Sequence, residues 1–133
     1  KMIRVKNSQL NNEALSVINS LIEMDIKASE AFKLSRIIRY LSSIVEDKIA
    51  SEKRIYNKWI QRDELGNVVK PIDEFGNEIK NSINIIDIDK FTNEMSDLMN
   101  IENSIPYEKI NFEDMCLEKA KIKDILKIDF LFN

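Results

Sequence analysis

The sequence predicts an α-rich α+β fold: an antiparallel helical hairpin with a long second helix, followed by a small lobe of short strands and short helices. Three observations lead there. Across residues 29–62 the apolar side chains Leu34, Ile37, Ile38, Leu41, Ile44, Val45, Ile49, Ile55, Tyr56 and Trp59 recur at steps of three and four, the spacing that keeps side chains on one stripe of an α-helix. Only two glycines and two prolines occur in 133 residues, so regular structure dominates over loops. Short β-branched and alternating runs are scattered around this helical material, at 2–6 and 83–88.

Taken in order, residues 1–6 alternate polar and apolar side chains and read as a short strand or extended arm. Asn7-Ser8 is the expected cap of a first helix over 8–23, since a short side-chain oxygen satisfies free amides of the first turn. Its apolar set is Leu10, Ala14, Val17, Ile18, Leu21 and Ile22. A break of about five residues before Ser29 makes the two helices antiparallel neighbours. At ~1.5 Å per residue the second helix is roughly 50 Å long and outruns the first. Its end, with Ile55, Tyr56, Trp59 and Ile60, therefore needs cover from the second half of the chain or from another molecule.

Residues 63–82 hold a small repeat, Asp63-Glu64-Leu65-Gly66-Asn67 and Asp73-Glu74-Phe75-Gly76-Asn77. Each copy reads as a turn with positive-φ backbone, flanked by short strand pieces at Val68-Val69 and Ile79. Residues 83–88 read as a short strand, and Asp87 or Asp89 as the cap of a third helix bearing Phe91, Met95, Leu98 and Met99. Two extended pieces around Pro106, a weak helix over 113–127 and a docked apolar end at Ile128, Phe130, Leu131 and Phe132 complete the chain. The expected organisation is a hairpin over 1–62 and a lobe over 63–133 packed on it as one compact unit.

Composition narrows function. Cys116 is the single cysteine and histidine is absent, so an internal disulfide and the usual zinc ligand sets are excluded, as are Ser-His and Cys-His nucleophile pairs. No apolar run has the length of a membrane span or a signal-peptide core. The expectation is a soluble, intracellular chain. Net charge is −3, but residues 1–62 carry 12 Lys/Arg against 7 Asp/Glu (net +5), and residues 63–133 carry 8 against 16 (net −8). Such opposed halves hold lobes together or offer different faces to different partners.

No catalytic, metal or cofactor motif is present. Asp87 and Asp89 are explained by helix capping, and Glu94, Asp97, Glu113 and Asp114 by a solvated face. The Asp-x-x-Gly-Asn turns lack the acidic spacing of an EF-hand. Lys33, Arg36 and Arg39 beside Tyr40, continued by Lys53, Arg54, Lys58 and Arg62, form a cationic side of the long helix. A nucleic-acid reading sets these on phosphates with Tyr56 or Trp59 stacked on a base. The acidic total and the interspersed Glu and Asp stand against it.

The order of features resembles a family of short uncharacterised proteins encoded by tailed phages and prophages of low-GC bacteria. The matching residues are Asn7 and Leu10 opening helix one, Leu21-Ile22, and Ile26-Lys27-Ala28-Ser29-Glu30-Ala31-Phe32-Lys33-Leu34-Ser35-Arg36-Ile37 entering the long helix. They continue with a Lys58 to Asn67 exit carrying the Asp-x-x-Gly-Asn turn, a Phe91/Glu94/Leu98 helix and an apolar C-terminus. The second Gly-Asn turn departs from the pattern. The resemblance implies a phage origin and a helical hairpin with a small α+β lobe, and it brings no catalytic residues.

The expectation from this is a non-catalytic protein-binding module acting in the cytoplasm of a host bacterial cell, without cofactor, as an inhibitor or modulator of a host defence protein. Aromatic and arginine side chains are enriched at binding hot spots, so the candidate contacts on the helix are Arg36, Arg39, Tyr56, Trp59 and Arg62. Asp63, Glu64, Asp73 and Glu74 are the acidic ones, competing for a nucleic-acid groove by charge complementarity. The alternative is a virion accessory or assembly protein that self-associates, and a small nucleic-acid-binding regulator is the third reading.

Overall fold

A computed structural model of the chain describes residues 2–115 and 121–133; Cys116 and the Leu117 expected in a C-terminal helix lie outside the described residues. The fold is α-rich α+β, with strand β1 (Met2–Lys6), helices α1 (Asn12–Ile22), α2 (Ala28–Trp59) and α3 (Ile88–Asn100), strand β2 (Glu102–Glu108) and short helix α4 (Ile122–Leu126). Contacts divide it into one unit of Lys1–Lys48 with Met99–Asn133 and a second of Ile49–Leu98. This boundary runs inside α2, whereas the charge asymmetry of the sequence divides the chain at residue 62.

In the first unit β1 and β2 form a two-stranded antiparallel sheet, Ile3 opposite Ile105 and Val5 opposite Asn103. Alternation turns Ile3 and Val5 to the core, where both are buried. β2 crosses Pro106 without a break, so the two extended pieces expected there are one strand. The register slips at this point, between Met2 opposite Glu108 and Ile3 opposite Ile105, and in a two-stranded sheet β2 is an edge strand, where proline is tolerated.

The first helix starts later than Asn7-Ser8 predicts. Asn7–Gln9 is a single 3-10 turn, and α1 is capped by Asn11, whose Oδ1 accepts from the Ala14 amide at 2.9 Å. Asn7 is not available as a cap. It is buried, and its Oδ1 accepts from Asn103 Nδ2 at 2.8 Å, while the same amide group donates to the Val5 carbonyl at 3.1 Å. A buried amide without such partners would cost roughly 1–3 kcal/mol.

Ala14, Ile18 and Leu21 of α1 and Leu34, Ile37 and Leu41 of α2 enter one core with Ile3, Val5, Ile105, Ile110 and Met115. The chain end is docked in the same core: Ile110 bridges Phe132 in parallel, the Ile110 amide donates to the Leu131 carbonyl at 2.8 Å, and Ile128, Phe130, Leu131 and Phe132 are buried.

In the second unit residues 60–62 lie between two neighbours. Ile60 bridges Ile85 and Arg62 bridges Val68, while the Val69 amide donates to Gln61 and the Gln61 amide to Asn84. Residues 83–88 are therefore not the strand that their β-branched composition predicts. Among the described residues only Ile85 is bridged, while the Asn84 amide donates to the Val69 carbonyl and the Ile86 amide to that of Trp59, so the segment is held by single bonds to different neighbours rather than by a ladder. Asp87 caps α3 as expected, accepting the Lys90 amide at 3.1 Å. The end of α2 receives its cover from this helix: Tyr56 meets Phe91 edge to face at 5.2 Å between ring centres, and Trp59 Nε1 donates to Glu94 at 2.8 Å.

Candidate functional site

The residues singled out in sequence fall into two groups, one in each unit. In the first unit α2 presents Arg36 and Arg39 one turn apart on its exposed side. The Arg36 guanidinium lies over the Tyr107 ring at 5.0 Å and near Phe32 at 5.9 Å, and Tyr107 meets Tyr40 edge to face. Cation–π contacts of this kind are worth about 0.5–1 kcal/mol at exposed sites, so Arg36 is held in place by its aromatic neighbours. Arg39 instead rims a cavity of about 250 Å³ whose remaining lining is Ile22, Ile26, Ala31, Leu34, Ser35 and Ile38. Further along α1 and α2 a second hollow, of about 290 Å³, is lined by Leu15, Ile18, Ile38, Leu41 and Val45 among others.

In the second unit the two Asp-x-x-Gly-Asn copies have one geometry. Asp63 Oδ1 accepts the amides of Leu65 and Asn67, and Asp73 Oδ1 those of Phe75 and Asn77, all four at 2.9 Å. Gly66 and Gly76 take φ of 83° and 82°, a region that a side chain disfavours. Asp63 and Asp73 are therefore spent on their own turns, an Asx arrangement that fixes the backbone. Arg62 donates to the Gly66 carbonyl at 3.0 Å and braces the first turn. Glu64 and Glu74 are exposed, with no ion pair among the described residues.

What these turns display was not legible as a site. Leu65 is 87% and Phe75 81% exposed, far more than large apolar side chains in a folded chain usually are. Ile72, between them, is exposed as well. The available signal was the third position of each Asp-x-x-Gly-Asn copy, which a tight turn throws outward.

Tyr56 and Trp59 are engaged within the second unit. Beside the indole bond to Glu94, Lys58 Nζ donates to the other oxygen of the same carboxylate, and Lys58 and Lys90 stand over the Trp59 ring at 5.2 and 5.9 Å. The bond from Lys58, and after it the one from Trp59, holds the Glu94 carboxyl below its ordinary value. Among the described residues no three His, Cys, Asp or Glu side chains gather so as to hold a metal ion. No helix among them is long and apolar enough to cross a membrane.

The described residues present two acid-flanked apolar tips in the second unit and an apolar cavity with a cationic rim in the first. Compared with protein-family models, with curated proteins and with solved structures, the chain matches none.

Proposed function

We propose that this protein is a non-catalytic protein-binding module, encoded by a tailed phage or prophage, that occupies a surface of a host protein and inhibits or modulates it. The observation that carries this reading is the pair of tips. Two turns of one geometry each hold a large apolar side chain in solvent beside a glutamate that has no ion pair among the described residues, and apolar anchors with a polar rim are the usual anatomy of a binding interface. Asp63 and Asp73 act as positioning residues there, and Glu64 and Glu74 as contacts. A host protein with a basic rim around apolar pockets is the partner that fits, as the nucleic-acid groove of a defence nuclease does. The scaffold we infer is an antiparallel hairpin of α1 and the first half of α2. Its support is that Lys48 Nζ donates to the Leu10 carbonyl at the start of α1, whereas Ile22 at its end shares a cavity with Ala31 and Leu34.

The test is affinity capture from nuclease-treated bacterial lysate, with the wild-type chain beside a Leu65→Ala/Phe75→Ala variant. We expect a defined host protein whose activity the purified chain lowers, with capture falling at least tenfold for the variant. Equal capture by both chains removes the tips from the reading. A second reading, an assembly protein of the virion, is favoured by one observation: the Arg39-rimmed cavity has the chemistry that an acid-flanked apolar tip requires.

A further inference from the structure

We propose that the Phe75 turn of one copy docks into the Arg39-rimmed cavity of a second copy, joining chains head to tail. The inference rests on the tips being docking elements, as above, and adds a named socket for one of them.

The Phe75 turn is built to present its ring. Asp73 holds the amides on both sides of Gly76, at Phe75 and Asn77, so the backbone behind the ring is fixed before any contact forms, and less freedom is lost on binding. Next to the ring stands Glu74, without an ion pair among the described residues.

The cavity answers both features. Its walls are the apolar side chains of Ile22, Ile26, Leu34 and Ile38, and Arg39 is its single charged lining residue. At about 250 Å³ it is below the usual size of a small-molecule site, and suits one large side chain. Arg39 is exposed and has no ion pair among the described residues, so its guanidinium is free for a carboxylate, and the pairing of arginine with carboxylate is directional and charge-assisted.

Charge around the two elements runs the same way. Residues 63–78 carry Asp63, Glu64, Asp73, Glu74 and Glu78 against Lys70, whereas residues 22–39, the stretch that lines the cavity, carry Lys27, Lys33, Arg36 and Arg39 against Glu23, Asp25 and Glu30, the last paired with Lys33. A copy that gives its tip keeps its cavity open, so the contact is heterologous and propagates into rings or open chains.

The experiment is sedimentation of the whole protein at rising concentration, up to ~1 mM, for wild type, F75A, R39E and an equimolar mixture of the two variants. Both substitutions are at exposed positions, and circular dichroism checks that each variant folds. For wild type the expected weight-average mass climbs past that of two chains. Each variant alone stays near 15.6 kDa, its association weakened at least about tenfold. The mixture pairs and stops at two chains, because R39E supplies a tip and F75A a cavity. A wild type that remains monomeric overturns the proposal, as does an F75A protein that associates like wild type or a mixture that fails to pair. The host-protein reading fails separately: a wild type that captures no host protein from nuclease-treated lysate overturns that reading and leaves the self-association seen in sedimentation untouched.

Discussion

Glu94 receives the Lys58 ammonium and the Trp59 indole N–H on one carboxylate. Both bonds favour the ionised form, Lys58 most, so its pKa lies below the ordinary value. The folded chain therefore holds this proton more weakly than the unfolded chain. Its stabilising contribution is complete above the unfolded pKa, about 4.3, and is lost as pH falls through the lower folded value. Trp59 is the only tryptophan, which makes the titration directly visible. Its emission is expected to stay constant from neutral pH down to the ordinary carboxylate range and to change below it, and Glu94→Gln removes that step. A step centred at the ordinary glutamate value, or one that persists in Glu94→Gln, contradicts the assignment.

Among elements, the two tight turns separate backbone conformation from packing. A Cβ on Gly76 meets no heavy atom within 4 Å, yet its φ is +82°. Gly76→Ala therefore destabilises the second unit through conformation alone, by about 1–2 kcal/mol. Gly76→Asn costs less, since asparagine visits the left-handed region more readily. Urea titration followed by Trp59 emission measures both, and equal midpoints for the two variants contradict a conformational origin. These turns were readable in the sequence because every group that makes them lies within five residues, as was the long helix, whose stripe is local by nature. The pairing of β1 with β2 was not readable, for it joins residues about a hundred positions apart. The same distance hid the burial of Asn7, which depends on Asn103, and moved the α1 cap to Asn11. The exposure of Leu65 and Phe75 was only half legible, since the third position of a tight turn points outward but whether distant segments cover it depends on the rest of the fold.

For the whole molecule, burial is divided unevenly between the two units. Ile3, Val5, Leu10, Ala14, Ile18, Leu21, Leu34, Ile37, Leu41 and Ile105 are buried in the first, whereas Leu98 is the single buried apolar residue of the second among those described. Stability within a chain follows buried apolar contact, and sparsely buried segments open at lower free energy. Amides of Ile3, Val5 and Ile105 are accordingly expected to exchange at least tenfold more slowly than those of Gln61, Val69 and Ile79, although all of these are hydrogen-bonded. In urea, Trp59 emission should change at a lower midpoint than the exchange-protected core of the first unit. Coincident transitions would mean that the unbroken helix α2 couples the two units into one cooperative block. A ligand that binds only the folded form stabilises it by about 2.7 kcal/mol at a hundredfold excess over Kd. A partner seated on the Leu65 and Phe75 tips therefore raises the Trp59 midpoint first, and Leu65→Ala/Phe75→Ala abolishes that rise without shifting the exchange of Ile3 or Ile105.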